Sequence, residues 1–282
     1  MSSCRVFLVT GANKGIGLST TRALCKLPGD NVVYLGARNE QRGKEAVKLL
    51  EGEGLSPRLL LIDIEDDESV KTARDFIKEN HGGLDVLVNN AGFAFNHDSQ
   101  ADFAEQAVVT VTTNYYGTKR VCSLLFPLLT AGARVVNVSS SCGQLSMIDG
   151  ENCEALRAKF SHPQLTEAEL DKLMDHFIDL SKDSKEAVTK AGYPSNTYKV
   201  AKVGVSALSI LQQREMERDR AGEDITINHV HPGYVDTDMS SHKGPLTPEE
   251  GAASSVFAAT LPPGTEIKGK YIWLDCSIKQ WE

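Results

Sequence analysis

Two kinds of segment alternate along the chain. Short runs rich in β-branched and other apolar residues recur at 5–10, 31–37, 58–63, 86–89, 134–139, 226–231 and 270–274. Nearly unbroken apolar character marks a strand covered on both faces, whereas a half-exposed strand alternates. Between these runs lie amphipathic segments, among them 15–27, 39–53, 66–80 and 102–129, with apolar positions at helical spacing. The alternation predicts an α/β fold: a single-domain, Rossmann-type, doubly wound parallel sheet of about seven strands. No repeat or Pro/Gly/Ser linker divides the chain, so residues 1–282 read as one nucleotide-binding unit. One stretch breaks the rhythm. No β-branched strand occurs between 141 and 195, and an inserted helical lobe is expected at about 144–192. Within it Thr166 and Glu169 form a capping box, followed by Leu170, Leu173, Met174 and Phe177 at helical spacing.

Composition narrows the function classes. With 38 acidic and 30 basic residues the formal charge is −8, and no excess cation field exists to hold nucleic acid or an anionic membrane. The N-terminal apolar run at 6–9 is too short for a signal-peptide core or a membrane span. Six scattered cysteines without a Cys-x-x-Cys pair point to reduced thiols in the cytoplasm, with no metal site.

The turn after the first strand carries candidate chemistry. Gly11, Asn13, Lys14, Gly15, Ile16 and Gly17 lie between a strand and a helix. Glycines there allow a tight turn and close approach of backbone to a pyrophosphate, and the helix N-terminus offers free N–H groups. The second strand ends on Arg38, where a cofactor with a free 2′-hydroxyl usually meets an acid. Arg38 together with Lys14 favours the 2′-phosphate of NADP(H), against the plainer reading of two solvated surface charges. Asp63, followed by Ile64, ends the third strand and is placed to accept from the adenine amino group; an Asp there could equally cap the next helix.

A second constellation lies further on. Tyr198 and Lys202 share one face of a helix expected at 195–218. An ammonium near the phenol would lower its pKa, and Tyr198 could then hand a proton to a carbonyl oxygen. Tyr-x-x-x-Lys alone is mostly a solvated helix face, so its weight comes from what accompanies it. Ser139, Ser140 and Ser141 end one apolar strand, Asn89 and Asn90 another, and His231, Pro232 and Gly233 a third, all at the carboxyl edge where such sheets bind ligands. Alternation points Ser139 and Ser140 to opposite sides, so only one faces the site. His229 and His231, two apart on a strand, read as hydrogen-bonded core groups, since a third metal ligand is missing.

Taken together, the 10–17 turn, Asn89–Gly92, Asn114, Ser140 and Tyr198 with Lys202 resemble the short-chain dehydrogenase/reductase family over nearly the whole chain. The 11–18, 82–92 and 134–140 stretches, Tyr193-Pro194-Ser195 and the insertion resemble its monomeric NADPH-dependent carbonyl reductases. The resemblance implies a reductase of ketones, aldehydes and quinones. It makes Tyr198 the general acid and Ser140 the residue that positions the carbonyl. Lys202 would bind the ribose and tune Tyr198, and Asn114 would open its helix to hold a water in a proton path. Pro232, Gly233, Val235 and Thr237 would hold the nicotinamide carboxamide, with Asn90 beside the cofactor. His231 stands where related reductases often carry Cys, and Asp236, where a basic residue is common, could weaken anionic substrates. Some relatives bind glutathione near positions that here are Phe95, Asn96, Gln106 and Tyr193, although Asn96 and His97 alter that surface. The insertion should cover the helix faces that pair in tetrameric members, which implies a monomer. The rival from another class is a non-catalytic NADP(H)-binding sensor, which would need only the glycine turn. A sugar-nucleotide epimerase would need a longer carboxyl-terminal substrate domain.

Overall fold

The computed structural model describes residues 4–96 and 98–282. The order is β1 (Val6–Val9), α1 (Gly15–Cys25), β2 (Val32–Ala37), α2 (Glu40–Gly52), β3 (Arg58–Leu61), α3 (Asp67–His81), β4 (Leu84–Asn89), α4 (Phe103–Val111), α5 (Gly117–Leu125) and β5 (Leu129–Val138). It continues through α6 (Glu154–Phe160), α7 (Glu167–Asp183), α8 (Lys185–Lys190), α9 (Thr197–Asp219), β6 (Thr226–Val230), α10 (Pro248–Ala259), β7 (Tyr271–Ile272) and β8 (Ile278–Lys279). The strands form one sheet in the order β3-β2-β1-β4-β5-β6-β7-β8, parallel except for the β7–β8 pair. The doubly wound parallel sheet is therefore as expected, with an antiparallel eighth strand added. That strand has two residues, too few to give a period.

Side-chain alternation builds a core on each face of the sheet. Leu8, Leu87, Val135 and Ile227 join Val70, Ala73 and Ile77 of α3 and Val121 and Leu125 of α5. Their neighbours Phe7, Val9, Val86, Val88, Val136 and Val138 join Leu24 of α1, Ala46 and Leu50 of α2 and Ala258 and Ala259 of α10. The 102–129 segment is not one regular helix. Between α4 and α5 runs a π-helical turn, Thr112–Tyr116, and β5 already begins at Leu129.

The inserted stretch folds into α6, α7 and α8. Thr166 caps α7 as read from the sequence: its hydroxyl accepts from the Glu169 N–H, and the Glu169 carboxylate takes the Thr166 N–H at 2.9 Å. Leu170, Met174 and Phe177 then face inward and form a third core with Val111 and Tyr115 and with Val200, Val203 and Ala207 of α9. The Tyr115 hydroxyl donates to Asp171 at 2.9 Å, so a polar contact accompanies the apolar one. Phe177 is fully buried. Phe177→Ala should therefore cost about 3–5 kcal/mol, read as a lowered urea midpoint.

Asn89, Asn137, His229 and Tyr271 sit side by side on β4, β5, β6 and β7. Asn89 donates to Asn137 at 2.8 Å, and Asn137 donates to the Ser209 hydroxyl at 2.9 Å. His229 departs from expectation: it is buried, yet neither ring nitrogen has a partner. Its ring instead stacks on Tyr271, with centroids 4.6 Å apart and planes 4° from parallel, while the amide of its neighbour Asn137 is spent on Ser209. Burial pushes the imidazole down to about 3. The unfolded chain takes up a proton below its ordinary value that the folded chain refuses. Stability is thus complete above the unfolded value and is lost as pH falls towards the folded one, at up to about 1.4 kcal/mol per pH unit. His229→Phe should keep the stack and flatten that acid slope. Urea midpoints at about pH 7 and about pH 5 check this, and an unchanged slope would assign the acid sensitivity elsewhere.

Candidate active site

The strand ends set the geometry. Gly11 adopts φ +60°, and a Cβ there would lie 2.7 Å from the Ala91 Cα. A Cβ at Gly17 would meet the Asn90 amide at 2.3 Å and the Gly11 carbonyl at 2.6 Å. Only glycine permits this approach. The Asn90 amide uses it, donating to the carbonyls of Thr10 and Gly11, each at 3.0 Å, and so ties the end of β4 to the turn after β1. The first turn of α1 has no side-chain cap and no acidic residue. Its N–H groups and positive dipole end are therefore available to an anion.

Around this turn lie the two cations. Lys14 pairs with Asp238, which follows Thr237 in the loop after β6. The Lys14 ammonium holds the Asp238 carboxyl below the usual range. Arg38 is exposed and reaches Glu65 at 3.4 Å. Asp63 accepts the Glu65 N–H at 3.0 Å, so its carboxylate does not cap α3; Asp66 does that by accepting from Glu68. Ile64 is buried beside Asp63 and offers its carbonyl to Arg120. Thr237 folds back over the turn: a Cβ at Gly15 would lie 3.2 Å from its methyl group. Val235 is buried nearby. Asp236 faces His242 at 2.7 Å, and the same ring reaches Asp238 at 3.1 Å. The Asp236 carboxylate is thus engaged by a neighbouring histidine, an arrangement the sequence did not announce.

At the end of β5 the two serine hydroxyls point apart. The Ser139 hydroxyl is buried under α9, against the Ser206 hydroxyl at 2.8 Å and the Lys202 carbonyl at 3.2 Å. Ser140 therefore points the other way, as the acceptor for the Cys142 N–H at 3.2 Å. Lys202 is 5% exposed, and its ammonium donates to the Val138 carbonyl at 2.7 Å while lying 5.6 Å over the Tyr198 ring. Burial pushes Lys202 down to about 8. Burial also pushes the Tyr198 phenol well above its ordinary value, helped by Cys142 and opposed by the Ser140 hydroxyl. This corrects the sequence expectation of a lowered phenol. The ammonium sits over the ring and on a carbonyl, not at the phenolic oxygen, so desolvation wins. Asn114 lies in the π turn, where its amide group exchanges two hydrogen bonds with the Phe93 backbone, at 2.8 and 2.7 Å. A Cβ at Gly92 would lie 2.8 Å from the Asn114 Oδ1 and 3.8 Å from the Lys202 Nζ, which places both beside one glycine.

The loop after β6 supplies one more contact: the Met239 sulfur stands 4.0 Å from the Tyr198 hydroxyl. Phe93, Tyr234 and Met239 are exposed apolar side chains on the loops that leave β4 and β6. Of the four positions that correspond to glutathione contacts in some relatives, one is closed off in this structure. Tyr193 is fully buried under the lobe, its hydroxyl donating to the Leu173 carbonyl at 2.8 Å. Gln106 donates to Ala101 at 2.8 Å, Phe95 packs edge-on against Phe93, and His97 lies outside the described residues.

Among the described residues no group of three or more His, Cys, Asp or Glu is placed to hold a metal ion, and no helix is long and apolar enough to cross a membrane. The short chain dehydrogenase family profile matches residues 5–176. Carbonyl reductase (NADPH) 3 of Mus musculus is 45% identical over 285 residues, covering 100% of each chain. Carbonyl reductase (NADPH) 1 of Homo sapiens is 44% identical over 282 residues, covering 99% of each. The solved structure of salutaridine reductase from Papaver somniferum has a TM-score of 0.82 at 29% identity, covering 96% of this chain and 100% of that one. With a glycine turn, a buried lysine and its tyrosine at one sheet edge, and relatives matched from end to end, this chain belongs to the short-chain dehydrogenase family.

Proposed function

We propose that this protein is an NADPH-dependent carbonyl reductase acting on ketones, aldehydes and quinones. The observation that carries the reading is the meeting of Ser140, Tyr198 and Lys202 at the sheet edge that also bears the glycine turn and two cations, in a chain whose full-length relatives are carbonyl reductases. The residues present fit the cofactor. The uncapped start of α1 and the backbone of Gly11, Asn13, Gly15, Ile16 and Gly17 suit a pyrophosphate. Lys14 and Arg38 would exchange Asp238 and Glu65 for the 2′-phosphate. Asp63 and Ile64 would meet the adenine. Asn90, Pro232, Gly233, Val235 and Thr237 would border the nicotinamide end, with Lys202 on its ribose. NADPH supplies the hydride that reaches the carbonyl carbon.

The chain's own part is the proton. Tyr198, kept protonated by burial, gives its phenolic proton to the carbonyl oxygen, and the product is the alcohol. Ser140 donates a hydrogen bond to that oxygen and stabilises the charge that develops there. Lys202 steadies the phenolate left behind, and Asn114 would hold a water that returns the proton. Phe93, Tyr234 and Met239 suit an apolar or aromatic carbonyl compound. A nucleotide sensor would have no use for the buried Lys202 and its costly desolvation.

We also place the protein in the cytoplasm, which suits its six free cysteines. It is a monomer in this reading, because the lobe buries the outer faces of α4 and α9. Light scattering should give one chain per particle; a stable dimer or tetramer would sink that part.

Tyr198→Phe should lower turnover of an aromatic aldehyde at least about a hundredfold while NADPH binding persists. Retained turnover would remove Tyr198 from its role. Because Lys202 sits at about 8, its charge is present below that value and lost above it. The rate of reduction should therefore fall as pH rises through about 8 in a pH–rate profile. Arg38→Asp should cut the preference for NADPH over NADH, measured as a ratio of kcat/KM values.

A further inference from the structure

The 140–143 turn that carries Ser140 is held from three sides. The Tyr271 hydroxyl donates to the Ser140 carbonyl, and the Trp281 indole donates to the Gly143 carbonyl at 2.6 Å. The third hold is His231. Its Nδ1 accepts the Ser141 N–H at 2.9 Å and lies 3.3 Å from the Gly233 N–H. These two amides belong to different parts of the site. Ser141 follows the serine that meets the carbonyl, and Gly233 opens the loop expected at the nicotinamide. We propose that His231 is a positioning residue, whose single ring nitrogen fastens the Ser140 turn to the cofactor loop and so sets where the substrate oxygen lies relative to the hydride.

The geometry explains why a histidine can do this. Both partners are backbone donors, so the Nδ1 must offer a lone pair and the ring proton sits on Nε2. The ring is 7% exposed and packs edge-on against Trp273, with centroids 4.9 Å apart. Burial pushes it down to about 4, which keeps it neutral and accepting at working pH. The Ser254 hydroxyl, 3.4 Å from the His231 carbonyl, ties the same residue to α10. A residue without an acceptor at this place would leave two backbone N–H groups short of a partner at the site.

The inference rests on the carbonyl-reductase reading, and two variants separate the two. His231→Asn keeps an acceptor on the same γ-carbon, whereas His231→Leu keeps the bulk and removes it. With benzaldehyde and NADPH, His231→Leu should lose at least about tenfold in kcat, and His231→Asn should stay within about threefold of the original. NADPH binding within about threefold in both variants would show that the glycine turn is intact. Equal kcat for all three proteins, or equal loss in both variants, would overturn the proposal. If the unaltered protein reduced no carbonyl compound, the functional reading would fail, and amide hydrogen exchange by NMR would still decide this one. Exchange at Ser141 and Gly233 that quickens in His231→Leu and not in His231→Asn supports it; exchange unchanged in both overturns it.

Discussion

Lys202 carries an ammonium to a place where it is 5% exposed and gives it the Val138 carbonyl as a hydrogen-bond partner. Moving such a charge out of water is costly, and the surroundings must be close and well directed to offset it. That requirement reaches far. For the lysine to touch the last carbonyl of β5, α9 must lie tight against the strand end. The contact is made by small residues: a Cβ at Gly143 would lie 2.2 Å from the Ser139 hydroxyl and 2.9 Å from the Lys202 carbonyl. The same closeness turns Ser139 inward and leaves Ser140 to the site.

The outer side of α9 answers to the same constraint. Val200, Val203, Ala207 and Leu208 are buried, so the helix needs a cover there. The inserted lobe provides it through Met174 and Phe177. A Cβ at Gly204 would lie 2.9 Å from the Met174 sulfur, so glycine is what lets α7 approach. The helix bearing Tyr198 and Lys202 is thus gripped between sheet and lobe. Preorganisation of this kind lets a proton donor act without rearranging as charge develops.

Much of this was legible in the residues, and the gaps have physical reasons. Apolar runs located the strands because both faces of a parallel sheet are covered. The Thr166–Glu169 box located the start of α7 because both reciprocal bonds need those side chains. The α10 helix was not singled out, although Thr247 and Glu250 form a second such box. Its buried positions are Gly251, Ala252, Ser254, Ser255, Ala258 and Ala259, which carry little hydropathy contrast. Hydropathy spacing does not mark the π turn around Asn114, which is a backbone choice made under packing, and only the resemblance implies an opened helix there. The direction of the Tyr198 shift was misjudged from spacing alone. Spacing says that Lys202 is near the phenol, but only the structure says that the ammonium addresses a carbonyl. For His229 the pattern gave burial correctly and could not reveal that Asn137 had already committed its amide to Ser209.

The last strand has a consequence for solubility. A sheet built from parallel neighbours ends in a row of unpaired backbone groups, and such an edge can template the strand of another molecule. Here β8 reverses direction after the 273–277 turn and pairs for only two residues, Ile278 and Lys279, both exposed. An edge that short offers few hydrogen bonds to an incoming chain, and the Lys279 charge would have to be brought against it. The described fold thus ends this edge of its sheet in a poor template for strand-by-strand aggregation.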